Sequence, residues 1–354
     1  FLLVQVLATV LEAQPQLRLV NVVFRHGDRT PSSTNSYPND PYTNYTYYPI
    51  GRGGLTNEGK LREYQLGKVL KSRYGDFLGS VYDPTVLVAR SSDYDRTKMS
   101  LQLVLSALYP PEPIQEWNDE LPWQPIPAVY SPERGDMLFF PYFCSYITEY
   151  ARVKNTTEVK EKVAKFDGLM KSLGKLTSQT IDDPKALKNL YITFDSQLSA
   201  NLELPDWVHE FYPDGDLLHA TSLYYEISSY NNYLKRIYGG MLLREILDNA
   251  ISYVNGTLEK GRKLYLYSGH EINIASLQST LGVFMPSVPA YSSAVIIEFL
   301  QLEDEYFFKV LQYSGIPSEI IEQQIPGCEV LCPFDKFVQL LAPVTATDAD
   351  LLCP

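Results

Sequence analysis

Three mainly apolar, strand-like runs end abruptly in ionisable residues. Positions 17–24 lead into Arg25, His26 and Arg29, positions 86–89 into Arg90, and positions 263–268 into His270 and Glu271. Together these ends hold three arginines and two of only four histidines in the chain. A guanidinium is a planar, permanently charged fork suited to bidentate grip on phosphate, and several converging forks stabilise a transferring phosphoryl group as its charge spreads. A histidine held among them attacks phosphorus through a neutral ring nitrogen, splitting hydrolysis into two easier displacements. The surrounding positive charge disfavours imidazolium, so the His26 pKa is expected to be lowered. A carboxylic acid beside the second histidine protonates a departing alkoxide and then, as carboxylate, activates water; Glu271 is placed for that work. One arginine at a strand end is ordinarily solvated or salt-bridged, and it is the convergence at three ends that points to a site. His209 and His219 lie apart from any arginine cluster and read as ordinary hydrogen-bonded residues, while Asp28 and either Asp93 or Asp95 read as partners that orient arginines.

Delivering these residues to one place requires a particular scaffold. The run at 17–24 is apolar at nearly every position, as expected of a strand buried on both faces of a parallel sheet, and open α/β sheets place ligands at the carboxyl ends of such strands. Thr56 is positioned to cap a helix starting at Asn57, with Leu66, Val69, Leu70 and Tyr74 at helical spacing. The unit of strand, polar tip and helix repeats at 86–108 and at 263–281, and 295–300 with 306–311 form a closing pair of strands. The Pro-rich stretch 110–132 reads as loop, and from about 140 to 235 the chain is polar and helix-favouring. The expected architecture is therefore an α/β core of 14–132 and 236–354, with a mainly parallel sheet flanked by helices, and an inserted helical cap lobe at 133–235. Gly51, Gly53 and Gly54 form the one Gly-rich loop, but it follows no strand and is not read as a nucleotide cradle.

Composition narrows the function classes. The 354 residues are 45% hydrophobic and 20% charged, with a formal net charge of −12 and no dense Lys/Arg stretch, which argues against nucleic acid and anionic membranes as partners. Positions 1–13 look like the remnant of a signal peptide, too short to span a bilayer, and no later run suggests a transmembrane segment. Sequons at Asn44, Asn155 and Asn255 fit a secreted, glycosylated protein. Cys144, Cys328, Cys332 and Cys353 form an even set that suggests two disulfides among three pairings, with zinc the weaker alternative because no histidine lies near. The 27 tyrosines suggest amphipathic pocket walls or packing.

The segment Arg25-His-Gly-Asp-Arg-Thr-Pro31 resembles the RHGxRxP motif of the histidine acid phosphatases, branch 2 of the histidine phosphatases. The segment Arg90-Ser-Ser-Asp-Tyr-Asp-Arg-Thr-Lys-Met99 resembles that family's second arginine segment, and Trp123-Gln-Pro-Ile-Pro127 a further family segment. The likeness runs from about residue 17 to 353 and is greatest to secreted insect venom and salivary acid phosphatase-like members. It implies a phosphoglycerate-mutase-like core with a helical cap, His26 as nucleophile, Arg25, Arg29, Arg90 and His270 as phosphate ligands, and neither metal nor cofactor. It also implies the pairings Cys144 with Cys353 and Cys328 with Cys332. The chain departs from the family in having His270-Glu271 where most members have His-Asp, and the extra methylene alters the proton donor's reach. The expected activity is that of a secreted acid phosphatase hydrolysing small phosphate monoesters through phosphoHis26, with a homodimer left open. A second reading is a venom or salivary phosphatase-like protein, weak or inactive in catalysis, that binds small host mediators such as amines or lipids in a Tyr-rich cleft. A cytosolic phosphosugar mutase is disfavoured by the leader, sequons and cysteines.

Overall fold

The computed structural model describes residues 14–33, 36–141, 145–315 and 317–351. Its centre is one sheet of β1 (Gln16–Arg25), β2 (Leu87–Ser91), β3 (Val129–Tyr130), β4 (Leu264–Gly269), β5 (Ala294–Leu302), β6 (Glu305–Tyr313), β7 (Ile320–Gln323) and β8 (Leu331–Pro333), in the order β3-β2-β4-β1-β5-β6-β7 with β8 beside β6. Parallel pairing is confined to β3, β2, β4 and β1, and every pairing outward from β1 to β5, β6, β7 and β8 is antiparallel. The sheet is thus mixed, and its parallel part holds the three expected strand ends. Arg25 lies level with Gly269, and Ser91 with Ser268, so the tips of β1, β2 and β4 finish at one edge.

Helices cover both faces, which is why β1 lacks a polar side. Val20, Val22 and Phe24 pack with Leu66 and Leu70 of α1 (Asn57–Leu78) and Val104 and Leu105 of α2 (Asp95–Leu108). Among the described residues, five further helices form the lobe: α3 (Ser145–Lys154), α4 (Thr157–Ala164), α5 (Asp167–Thr177), α6 (Pro184–Ser199) and α7 (Asp216–Ser228). After α8 (Asn232–Ile237) the chain returns to the sheet as α9 (Gly239–Val254), α10 (Glu271–Leu281) and α11 (Phe334–Leu341). Leu19 and Val23, on the other face of β1, pack with Leu243 and Ile246 of α9, Leu277 of α10 and Phe337 of α11. Leu138, Phe139 and Phe140, which the sequence groups with the lobe, belong to this same cluster.

Thr56 caps α1 as expected, its hydroxyl accepting from the Gly59 N–H at 3.1 Å. The Cys328–Cys332 disulfide is present beneath α11, whereas the other expected pair, Cys144 with Cys353, and the leader-like 1–13 lie outside the described residues. The three sequon asparagines, Asn44, Asn155 and Asn255, are exposed. Among the described residues no helix is long and apolar enough to cross a membrane. Elements the sequence did not announce are β3, only two residues long, and the C-terminal β7, β8 and α11, which are short and lack a long periodic pattern.

Packing between α1 and the loop after β1 is unusually close. A Cβ on Gly27 would stand 2.3 Å from the Gly59 carbonyl oxygen, and one on Gly59 would stand 2.2 Å from that of Asp28. Backbone faces backbone there, so no flexible side chain can yield. Gly27→Ala is expected to lower the unfolding free energy by about 1–3 kcal/mol, the usual cost of overpacking, in a denaturant titration. A value within about 0.5 kcal/mol of the parent, typical of a substitution touching nothing, would show that α1 moves aside freely.

Candidate active site

The tip of β1 is held from both neighbours: the Arg25 N–H donates to Ser293 O at 2.9 Å, and the His26 N–H to Gly269 O at 3.0 Å. His26 is buried, with Nδ1 2.8 Å from the carbonyl oxygen of Gly27. A carbonyl only accepts, so Nδ1 carries the hydrogen and Nε2 keeps its lone pair. Burial, followed by the charges of Arg96, Arg25, His270 and Arg29, drives the His26 pKa well below the ordinary 6.5.

Three guanidinium groups supply that charge. Arg25 is buried over the Tyr291 ring at 3.7 Å, donates to Pro289 O at 2.6 Å and lies 3.9 Å from Asp195 of α6. Arg29 donates to Thr30 O at 2.8 Å. Arg96, in the first turn of α2, sits 4.3 Å from the centre of the Tyr94 ring, with Nη2 3.5 Å from His270 Nδ1. The Nε atoms of Arg25 and Arg96 are buried and make no hydrogen bond among the described residues. Unanswered buried donors are costly, and here they belong to like-charged groups beside an unprotonated ring nitrogen, the arrangement an oxyanion relieves.

His270 is the N-cap of α10. Its backbone N–H donates to Asn273 Oδ1 at 2.9 Å, and Asn273 Nδ2 donates to Phe139 O at 2.9 Å. Because Arg96 faces Nδ1, the hydrogen sits on Nε2, 2.9 Å from Ser92 Oγ. The two histidine rings are 5.5 Å apart between centres. Glu271 opens α10, and its carboxylate lies 2.7 Å from Lys188 Nζ of α6. Burial alone would raise the Glu271 pKa, but Lys188, Arg25 and His270 outweigh it and hold the group well below the ordinary carboxylate range.

His26, Arg29, Arg96, Lys188, His270 and Glu271 share the wall of one cavity of about 840 Å³. Ile50, Arg52, Gly53 and Gly54 form part of its rim, so the Gly-rich loop borders the site without following a strand. Arg25 lines a smaller cavity behind it, with Asp195, Tyr191, Tyr212 and Tyr291. Of the expected residues, then, Arg25, His26, Arg29, His270 and Glu271 come together.

Arg90 does not join them. It lies within β2, where alternation turns its side chain to the sheet face, and Nη2 donates to Asp136 Oδ1 at 2.9 Å. The same Asp136 oxygen accepts from the Leu138 N–H, so Arg90 acts on the loop that brings Phe140 within 5.4 Å of the His270 ring. Arg96, six residues on, occupies the place expected of Arg90. The 90–96 segment offered two arginines, and the one past the turn, at the helix start, is where α/β sheets present ligand groups. Lys188 and Asp195 were also missed, since nothing local to α6 marks them. Asp28 pairs with Arg62 at 3.1 Å and Asp93 with Lys98 at 2.6 Å, while Asp95 lines the cavity. His209 and His219 are exposed and off its wall. In the 123–127 segment Ile126 packs under the sheet.

Residues 16–312 match the histidine phosphatase superfamily (branch 2). The chain is 46% identical to venom acid phosphatase Acph-1 of Apis mellifera, over 99% of this chain and 91% of that protein. It is 33% identical to prostatic acid phosphatase of Bos taurus, over 96% and 88%. The crystal structure of Klebsiella sp ASR1 phytase has the same fold, with a TM-score of 0.71 at 17% identity over 96% of this chain and 100% of that one. The chain belongs to branch 2 of the histidine phosphatase superfamily.

Separating Arg96 from Arg90 is experimentally direct. Arg96→Ala is expected to weaken competitive inhibition by inorganic phosphate roughly 10- to 100-fold, the worth of a charged hydrogen bond, with little loss of thermal stability. Arg90→Ala is expected to do the reverse, lowering the melting temperature while leaving the phosphate inhibition constant within about threefold, less than one such bond is worth. Exchange of those two outcomes would return Arg90 to the site.

Proposed function

We propose that this branch 2 histidine phosphatase is a secreted acid phosphatase that hydrolyses small phosphate monoesters through a covalent phosphohistidine at His26. The observation that carries the reading is the state of His26: Nδ1 is tied to the Gly27 carbonyl, Nε2 is unprotonated, and Arg25, Arg29 and Arg96 surround it. Nε2 attacks phosphorus, the ester P–O bond breaks, and the departing alkoxide takes a proton from Glu271. The Glu271 carboxylate then takes a proton from water as the water oxygen attacks phosphorus and the P–N bond breaks, releasing phosphate and neutral His26. Throughout, the arginines answer charge on the phosphoryl oxygens, and the Gly27 carbonyl stabilises the positive charge of the phosphorylated ring.

Acid operation is consistent with both groups. A histidine of ordinary pKa 6.5 is lost as a nucleophile below that pH, whereas the depressed value of His26 keeps it neutral further into acid. Glu271 must be protonated to donate; a bound phosphate dianion opposes the fields of Lys188 and Arg25 and raises its pKa toward that state. Secretion is supported by the leader-like start, the exposed sequon asparagines and the disulfide. The mediator-binding reading gains nothing from the cleft: of the tyrosines, Tyr94 and Tyr224 line the cavity, while Tyr74, Tyr109, Tyr225, Tyr238, Tyr267 and Tyr313 are buried in packing.

Rapid quench into base during turnover of a labelled monoester is expected to leave base-stable, acid-labile phosphate on His26 and none in His26→Ala. Label absent under proven turnover would remove the mechanism. With an aryl phosphate, which scarcely needs the proton, activity is expected to persist as pH falls through 6.5, and a decline centred there would show an ordinary histidine. Glu271→Gln is expected to slow alkyl phosphates by roughly 10²- to 10⁴-fold and aryl phosphates less; equal loss on both would assign Glu271 another task.

A further inference from the structure

Lys188 carries no bond-making step of the scheme above, yet its ammonium reaches into the reacting cavity and makes the one ion pair of Glu271 seen among the described residues. Both side chains are nearly enclosed, 15% and 12% exposed. Its position is built. Asp183 caps α6 by accepting from the Ala186 N–H at 2.9 Å, Pro184 opens the first turn, and Leu187, Leu190 and Phe194 bury one face of the helix in the lobe. Lys188, Ile192 and Asp195 share the other face, turned to the core, where Lys188 and Ile192 meet the cavity and Asp195 lies by Arg25.

We propose that Lys188 is the positioning residue of the proton donor, seating the Glu271 carboxyl over the cavity and governing when it can donate. The inference rests on the reading of Glu271 as that donor. A glutamate has one more rotatable bond than an aspartate, so its carboxyl sweeps a wider arc unless anchored, and a 2.7 Å charge-assisted contact removes that freedom. The charged and titratable groups facing Glu271 come from four other elements and its own cap: Lys188 of α6, Arg25 of β1, Arg96 of α2, Tyr225 of α7 and His270. Burial raises the Tyr225 pKa, keeping it neutral, Arg25 is engaged with Pro289, Tyr291 and Asp195, and Arg96 faces His270. Lys188 is therefore the contact whose removal most changes the carboxyl. Without it, a buried carboxylate loses its partner and takes up a proton at higher pH.

The test uses the full chain and the single-turnover rate of alcohol release from glycerol 2-phosphate as a function of pH. Lys188→Met is expected to move the alkaline limb of that rate upward by about one pH unit or more, the scale of one opposite charge at contact, and Lys188→Arg to return it to the parent position. p-Nitrophenyl phosphate should show little movement, and inhibition by inorganic phosphate should stay within about threefold, less than loss of one charged hydrogen bond. Lys188→Gln repeats the measurement should methionine disturb folding. An alkaline limb that stays in place in the folded Met or Gln variant, or moves downward, overturns the inference. Glu271→Gln separates the two failures. If it slows alkyl phosphates while the Lys188 variants leave the limb unmoved, only the role of Lys188 falls; if it slows nothing, the proton-donor reading itself has failed.

Discussion

Mutual repulsion among buried cations is the constraint around which this molecule is organised. Arg25, Arg29 and Arg96 converge on two histidines with few carboxylates to answer them, an arrangement that a fold tolerates only where other interactions supply its stability. Here they come from a sheet packed on both faces, and the strand tips carry the charges at its edge. The repulsion is also chemically useful, since it holds imidazole neutral and favours an incoming phosphate. The net charge of −12 belongs to the rest of the molecule, so attraction of an anion is a local property of one cavity.

Much of the frame was legible because it is written in short-range patterns. The apolar run of β1, the Thr56 cap and the helix that follows the third strand tip and ends at Leu281 each depend on residues within a few positions of one another, and the structure places them where the patterns indicate. The RHGxRxP motif adds a further local sign, and Gly27 within it has a steric reason, the backbone of α1.

What escaped was whatever depends on direction or on distance along the chain. Arg90 and Arg96 belong to one polar segment, and only the parity of β2 decides that the first turns to Asp136 while the second, beyond the turn, faces the histidines. Lys188 is separated from Glu271 by more than eighty positions, and no periodicity links them. The length and proline content of 110–132 hid a strand of two residues whose pairing comes wholly from β2.

The face that α6 turns to the core carries a cation and an anion seven residues apart, about 10 Å along the axis. Lys188 meets Glu271, and Asp195 lies by Arg25. Laid down in the opposite direction, the same helix would set ammonium against guanidinium and carboxylate against carboxylate. The order of the two charges thus encodes the polarity with which the lobe docks, and a lobe seated backwards would spoil the surroundings of Arg25 and of Glu271 together.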